Sequence, residues 1–317
     1  PQQDAGSVYY KTGDLSARRP GATSPGLMLV GGGDWPREAF RWWVGQAGNG
    51  HLVILRASGA ENAQEEFFND IGGIVSAQTL VSHDRAPASD PRVLEIVAAA
   101  DGVFIAGGDQ SRYIRFWKGT PLQDALNAHV RAGKPLAGTS AGLAIMGAYS
   151  YGALDGGSLT TAKALRDPLG PAVTLEHDFL ALPGLERVVT DSHFSERDRL
   201  GRLLVFLTRL GAAQGRRDLI GVGVDEDTAL CVGADGVGRV ITDNDGQVWL
   251  VRQPPQPAAL AGRRPLQAEG MSAVVMGPGS RLDLKTWQVQ APDRELRVHV
   301  RRGRVVEEPA ASAEAAP

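Results

Sequence analysis

Short apolar runs separated by helical patterns constrain this chain most. Leu27-Met-Leu-Val30 runs into Gly31-Gly-Gly33, and Val103-Phe-Ile-Ala106 ends at Gly107-Gly108. Leu52-Val-Ile-Leu55 and Ile74–Leu80 read as two further strands. Runs of this length without polar alternation suit strands buried on both faces. Between them lie helix signals. One helix starts near Pro36 and carries Phe40, Trp43 and Val44, and Gln64–Ile71 suits another. Asp90 caps a helix over Pro91–Ala100 whose first residue is proline. Thr120 caps one that opens at Pro121, buries Leu122, Leu126 and Val130, and stops at Gly133. Strands alternating with helices predict βαβ units and a mostly parallel sheet. Ligands of such sheets bind outside the carboxyl ends of the strands.

The segment Lys134–Met146 adds chemistry to this frame. An apolar strand leads into Gly138-Thr-Ser-Ala-Gly142 and then into a small-residue helix start. This is the G-x-S-x-G nucleophile elbow, in which glycines allow a sharp strand-to-helix turn around an uncrowded Ser140. The same residues also suit a serine-capped helix start.

A serine nucleophile needs a base and a group to orient it. His193 is the best base candidate, because Val188–Thr190 reads as a strand and Ser195, with Asp198, as the capping box of a helix over 196–210. His193 then lies on a turn at a strand's carboxyl end. The strand of Gly221–Val224 ends in Asp225, Glu226 and Asp227, any of which can orient the histidine. Arg197, Arg199, Arg202 and Arg209 lie on the helix, where arginines form solvated ion pairs or bind a substrate carboxylate bidentately. Gly108 can supply an oxyanion N–H and Gln110 a binding amide. The order Ser140, His193, carboxylate differs from the Ser, acid, His order of α/β-hydrolases.

Composition excludes several classes. A net charge of −3 lacks the basic excess of a nucleic-acid binder. No run approaches the ~18 apolar residues of a membrane helix. Cys231, the one cysteine, sits in an apolar run and reads as core. The six histidines show no metal-ligand spacing. Gly31-Gly-Gly33 is too short for the G-x-G-x-x-G dinucleotide fingerprint, so neither a cofactor nor a metal is expected. The chain starts at Pro1 without methionine, which favours a processed, secreted or periplasmic form over a cytoplasmic one. The expected organisation is a mobile arm over 1–24, a catalytic α/β domain over 25–234, a β-rich extension over 235–302 and a disordered tail over 303–317.

Four ordered motifs carry a family resemblance. They are Ala106-Gly-Gly-Asp-Gln110, Gly138–Gly142, Asp191-Ser-His-Phe194 followed by Arg197, Arg199 and Arg202, and Gly223-Val-Asp-Glu-Asp-Thr228. Together they resemble the cyanophycinases and the wider serine-peptidase group that includes aspartyl dipeptidases, over roughly residues 26–233. The resemblance implies a flavodoxin-like three-layer α/β/α sandwich, related to class I glutamine amidotransferases with serine in place of cysteine. It implies Ser140 as nucleophile, His193 as base and Glu226 as its orienting acid, with oxyanion N–H groups from Gly108 and Ala141. It assigns substrate binding to Gln110, Asp191, Ser192, Arg197, Arg199 and Arg202, with no metal or cofactor, in a homodimer. The implied substrate is cyanophycin, a poly-aspartate with arginine on each side chain, cleaved to β-Asp-Arg dipeptides. Ser192 stands where cyanophycinases usually carry glutamine, so an aspartyl or isoaspartyl dipeptidase acting on another acidic peptide is the alternative. A non-catalytic binding protein on the same fold is the third reading, with residues 235–302 serving polymer binding or dimerisation.

Overall fold

The computed structural model describes residues 2–4, 7–59 and 62–310. Five parallel strands lie side by side in the order Ser76–Ser82, His51–Arg56, Gly102–Ile105, Leu136–Thr139 and Leu27–Val30. Successive residues of a strand face opposite sides, and here each side has its own core. Leu27, Leu29, Val53, Leu55, Val103, Ile105 and Leu136 enter one core together with Val93, Val97, Leu122 and Leu126 of helices Pro91–Ala99 and Pro121–Arg131. Met28, Val30, Leu52, Ile54, Phe104 and Ala137 enter the other with Phe40, Trp43 and Val44 of helix Arg37–Gln46. This is the expected α/β/α sandwich. The capping side chains of Asp90 and Thr120 accept from Arg92 N–H and Gln123 N–H, which sets where two of these helices begin.

A second sheet holds the parallel pair Val188–Asp191 and Ile220–Val224. One of its faces packs on helix Leu200–Gln214 through Leu203, Phe206, Val189, Trp249 and Val251. The opposite face sends Val188, Val222, Val224, Val248 and Leu250 into the first sheet's core. The two sheets therefore share a helix-lined core, and the chain crosses between them at Asp225–Asp227. Strand Thr228–Val232 then pairs with Leu27–Val30 in the first sheet.

Two expected boundaries are corrected, and the expected β-rich extension is present in two parts. Ser7–Gly13, read as mobile arm, is an antiparallel strand on Ser76–Ser82, with Gln2–Asp4 paired along its outer side and Tyr9 Oη donating to Gln78 Oε1 at 2.6 Å. Strands at the margin of a sheet are half-solvated and carry polar residues, so their composition mimics that of an arm. The β-rich residues 235–302 are divided between the sheets. Val237–Thr242, Arg281–Asp283 and Gln288–Gln290 extend the first, whereas Val248–Arg252, Ala268–Met276 and Arg294–Arg301 extend the second. Arg304–Pro309, read as tail, pairs with Arg294–Arg301, and residues 311–317 lie outside the described residues. Cys231 is buried in the core, where burial raises its thiol pKa. No helix among the described residues is long and apolar enough to cross a membrane.

Burial of His129 makes acid stability testable. Its Nε2 lies 2.8 Å from the Pro135 carbonyl, and its buried Nδ1 has no partner among the described residues. Desolvation pushes its pKa down from 6.5 to about 4. Below pH 6.5 the unfolded chain gains a proton that the native ring refuses, so stability falls as pH drops. At about 1.4 kcal/mol per pH unit, this site costs about 3 kcal/mol by pH ~4. Urea unfolding from pH 7 to pH 4 should show His129→Gln losing less stability than the native protein. Parallel pH dependences would refute the assignment.

Candidate active site

Ser140 sits between strand Leu136–Thr139 and helix Ala141–Ala144 with φ 53° and ψ −113°. Such a conformation costs a non-glycine residue about 1–3 kcal/mol and persists only where the surroundings enforce it. The elbow is pressed against the neighbouring strand. A Cβ at Gly142 would lie 2.1 Å from the Ile105 carbonyl oxygen. Ser140 N–H donates to the Val30 carbonyl at 3.1 Å, and the Ser140 carbonyl accepts from Ala144 N–H at 3.0 Å.

His193 follows strand Val188–Asp191, has φ 44°, and donates its backbone N–H to the Gly31 carbonyl at 2.7 Å. Its Nε2 lies 2.7 Å from Ser140 Oγ and its Nδ1 2.6 Å from Glu226 Oε1. A carboxylate can only accept, so the ring proton belongs on Nδ1 and the Nε2 lone pair faces the serine hydroxyl. Burial lowers the His193 pKa below 6.5, the Glu226 hydrogen bond opposes that, and Arg197 and Arg199 add to it. The imidazole is neutral at pH 7 and can accept a proton.

The three neighbouring carboxylates go to three different partners. Asp225 is buried and accepts from Ser195 N–H at 2.9 Å and Gln247 N–H at 2.8 Å. Asp227 Oδ1 accepts from Asp34 N–H at 2.6 Å, and only Glu226 reaches the imidazole. Glu196 accepts the Glu226 backbone N–H at 3.2 Å, and burial raises its own pKa. Asp198 explains a corrected helix boundary. Its φ of 49° is left-handed and cannot continue a helix, so the chain turns through Ser195–Arg199 and the helix begins at Leu200, not at 196.

The glycine run Gly31–Gly33 has a structural use that its sequence did not reveal. Gly32 has φ +100°, and a Cβ there would lie 2.2 Å from His193 Cε1. Any side chain at this position would displace the imidazole.

Ser140 opens into a cavity of about 320 Å³ that is also lined by Gly108, Gln110, Ala141, Ser192, Arg197 and Arg199. Ala141 N–H, at the first helical position, has no acceptor within the helix. Gly108 belongs to the turn after Gly102–Ile105, the parallel neighbour of the elbow strand. Both backbone donors can serve a developing oxyanion. Arg199 is buried, donates to the Ser192 carbonyl at 3.0 Å, and has its pKa lowered to about 10 by desolvation. Arg197 is exposed, and no hydrogen bond or ion pair engages its guanidinium among the described residues.

Asp191 and Arg202 do not line this cavity, which corrects their expected contact with substrate. Both are 1% exposed. Arg202 Nε donates to Asp191 Oδ2 at 2.8 Å and Nη2 to Oδ1 at 2.5 Å, and the guanidinium stacks over Tyr151 at 4.8 Å. A bidentate buried pair is satisfied from within. Its reach to the site is indirect, through Asp191 Oδ1, which accepts Ser192 N–H at 3.0 Å. The cavity also gains Asp109, from the Ala106–Gln110 motif, together with Arg115, Tyr151 and the Gly156–Ser158 loop, which no sequence motif marked. That loop has no periodicity, and only its Gly-Gly-Ser turn hinted at a wall.

An elbow serine bonded to an imidazole that is itself held by a carboxylate, on an α/β/α fold, defines a serine-type hydrolase. The chain belongs to peptidase family S51, whose family model matches residues 62–238. It is 30% identical over 248 residues to a cyanophycinase of Trichormus variabilis, covering 75% of this chain and 76% of that protein. It is 32% identical to a cyanophycinase of Synechococcus elongatus, covering 75% and 70%. A peptidase from an acI-B1 actinobacterium, known by crystal structure, aligns with 91% of this chain and 98% of its own at 18% identity, with a TM-score of 0.48.

Proposed function

We propose that this serine-type peptidase is a cyanophycinase-like exopeptidase that releases β-Asp-Arg dipeptides through an acyl-enzyme on Ser140. The observation that carries the reading is the continuous relay of 2.7 and 2.6 Å from Ser140 through His193 to Glu226, open to a cavity edged by Arg197 and Arg199. In the reaction His193 Nε2 takes the Ser140 proton as Oγ bonds to the scissile carbonyl carbon. The oxyanion accepts from Gly108 and Ala141 N–H. The C–N bond then breaks as Nε2 returns the proton to the leaving amine. Water, deprotonated by the same nitrogen, attacks the ester, and Ser140 leaves with its proton restored.

The Arg197 guanidinium, unengaged among the described residues, supports recognition of a substrate carboxylate. Arg199 adds a second fixed positive charge, and the Gln110 amide lines the same cavity. Ser192 favours the second reading, an aspartyl or isoaspartyl dipeptidase. Its hydroxyl is turned to Arg199 Nη1 at 3.4 Å and is too short to reach as a glutamine amide would. The proposal includes a homodimer, for which light scattering is the check.

The test is incubation with cyanophycin followed by mass analysis of the soluble products, with Ser140→Ala as control. Asp-Arg dipeptides from the native protein alone support the reading. No release, together with cleavage of isoaspartyl dipeptides, transfers it to the second. A native protein that fails to react with a serine-directed fluorophosphonate is a binding protein and refutes both.

A further inference from the structure

A second cavity of about 410 Å³ lies on the other side of the turn that follows Gly102–Ile105. Gly107 lines it, and Gly108 lines both cavities. Thr139, the residue before Ser140, forms part of its wall, and a Cβ at Gly107 would sit 3.4 Å from Ser140 Cβ. Gly33 forms another part, next to Gly32, which lies against the imidazole. The cavity thus runs from the oxyanion turn to Gly33, one residue from the glycine that lies against His193. A leaving amine must depart beside His193, because it takes its proton from His193 Nε2.

The two cavities differ in charge. Arg115, Arg197 and Arg199 face Asp109 in the first, whereas Asp34 and Glu66 face Arg56 in the second. Arg56 is buried and its Nε donates to the Ser58 carbonyl at 2.8 Å. Asp34 is exposed, and its carboxylate takes no hydrogen bond or ion pair among the described residues. A separate observation also points to a ligand. The hydroxyl of Thr139, a residue 8% exposed, is buried without a hydrogen-bond partner, and such groups are rare in native proteins. Glu66 opens a π-helical stretch, Glu66–Ile71, where an α-helix over Gln64–Ile71 was expected and only Ala63–Glu65 is α-helical. This geometry is concentrated at functional sites. Trp35, stacked on Phe40 at 4.5 Å, supplies a rigid apolar wall for an alkyl stem.

We propose that this second cavity is the leaving-group subsite and selects a released residue with a cationic side chain. The inference rests on the Ser140 reading above. The experiment compares substrates that differ only in the released residue, which is lysine, norleucine or glutamate. One series carries a β-arginyl-aspartyl acyl part and the other a plain aspartyl one. Lysine should exceed norleucine in kcat/KM by about fivefold, the scale of a partly solvated ion pair, with glutamate the poorest. Asp34→Asn should bring the lysine-to-norleucine ratio towards one, and Asp34→Lys should invert the order of lysine and glutamate. A purely structural Asp34 would move all three substrates together. Fluorophosphonate labelling of the native protein separates the two ideas. Indifference to the released residue, or no turnover of any substrate, with labelling intact overturns the subsite alone. Absent labelling removes the Ser140 reading and the subsite with it.

Discussion

Ser140→Ala is expected to lower kcat/KM for peptide hydrolysis by about 10⁴- to 10⁶-fold, the range seen when a serine relay loses its nucleophile. Thermal unfolding should stay close to native. Alanine keeps the Cβ at the elbow and gives up only the 2.7 Å hydrogen bond between Oγ and His193. The backbone bonds that hold the turn, to Val30 and Ala144, do not involve the side chain. Because the relay acts as a unit, Ser140→Ala combined with Glu226→Gln should be no slower than Ser140→Ala alone. A single variant that retained more than about a tenth of the native rate, or a double variant far slower than the single, would count against Ser140 as nucleophile.

Glu226→Gln is expected to lower kcat/KM by about 10³-fold, for two reasons. The amide can donate to Nδ1, which favours the wrong tautomer, and it no longer stabilises the imidazolium formed in the transition state. The pH profile adds a signed test. In the native protein burial holds the His193 pKa below 6.5, so activity should rise with pH along a limb centred below that value. Glu226 opposes the shift and raises the pKa, so its removal should move the limb to still lower pH while the plateau drops. Arg197→Ala should move the limb the other way, because Arg197 lowers the pKa. A limb that climbs in Glu226→Gln would show that Glu226 does not act on His193 through this hydrogen bond.

Local pattern made much of the site legible. The elbow announced itself because Gly138 and Gly142 bracket a serine directly after an apolar strand. His193 stood out because a strand read over Val188–Thr190 ends shortly before it, and the structure carries that strand one residue further, to Asp191. The choice among Asp225, Glu226 and Asp227 was not legible from periodicity, since strand geometry sends consecutive residues in different directions but does not say what waits there. Only the close approach of strands Leu27–Val30, Val188–Asp191 and Ile220–Val224 brings Ser195, His193 and Asp34 to the three carboxylates in turn. Arg199 and Arg202 looked equivalent on a helix face, yet one edges the cavity and the other is sealed against Asp191. Their difference is one of depth, which spacing does not encode.

By itself the sequence determined the α/β/α core, because two-residue alternation in strands apolar on both faces demands cover on each side. It also determined the elbow, because only a glycine-flanked serine permits that turn. Tertiary structure decided which sheet each strand joins, which carboxylate meets the imidazole, and that two cavities with different charged linings meet at Gly108. These features depend on residues far apart in the chain, and their meeting is set by how the two sheets pack against a shared core.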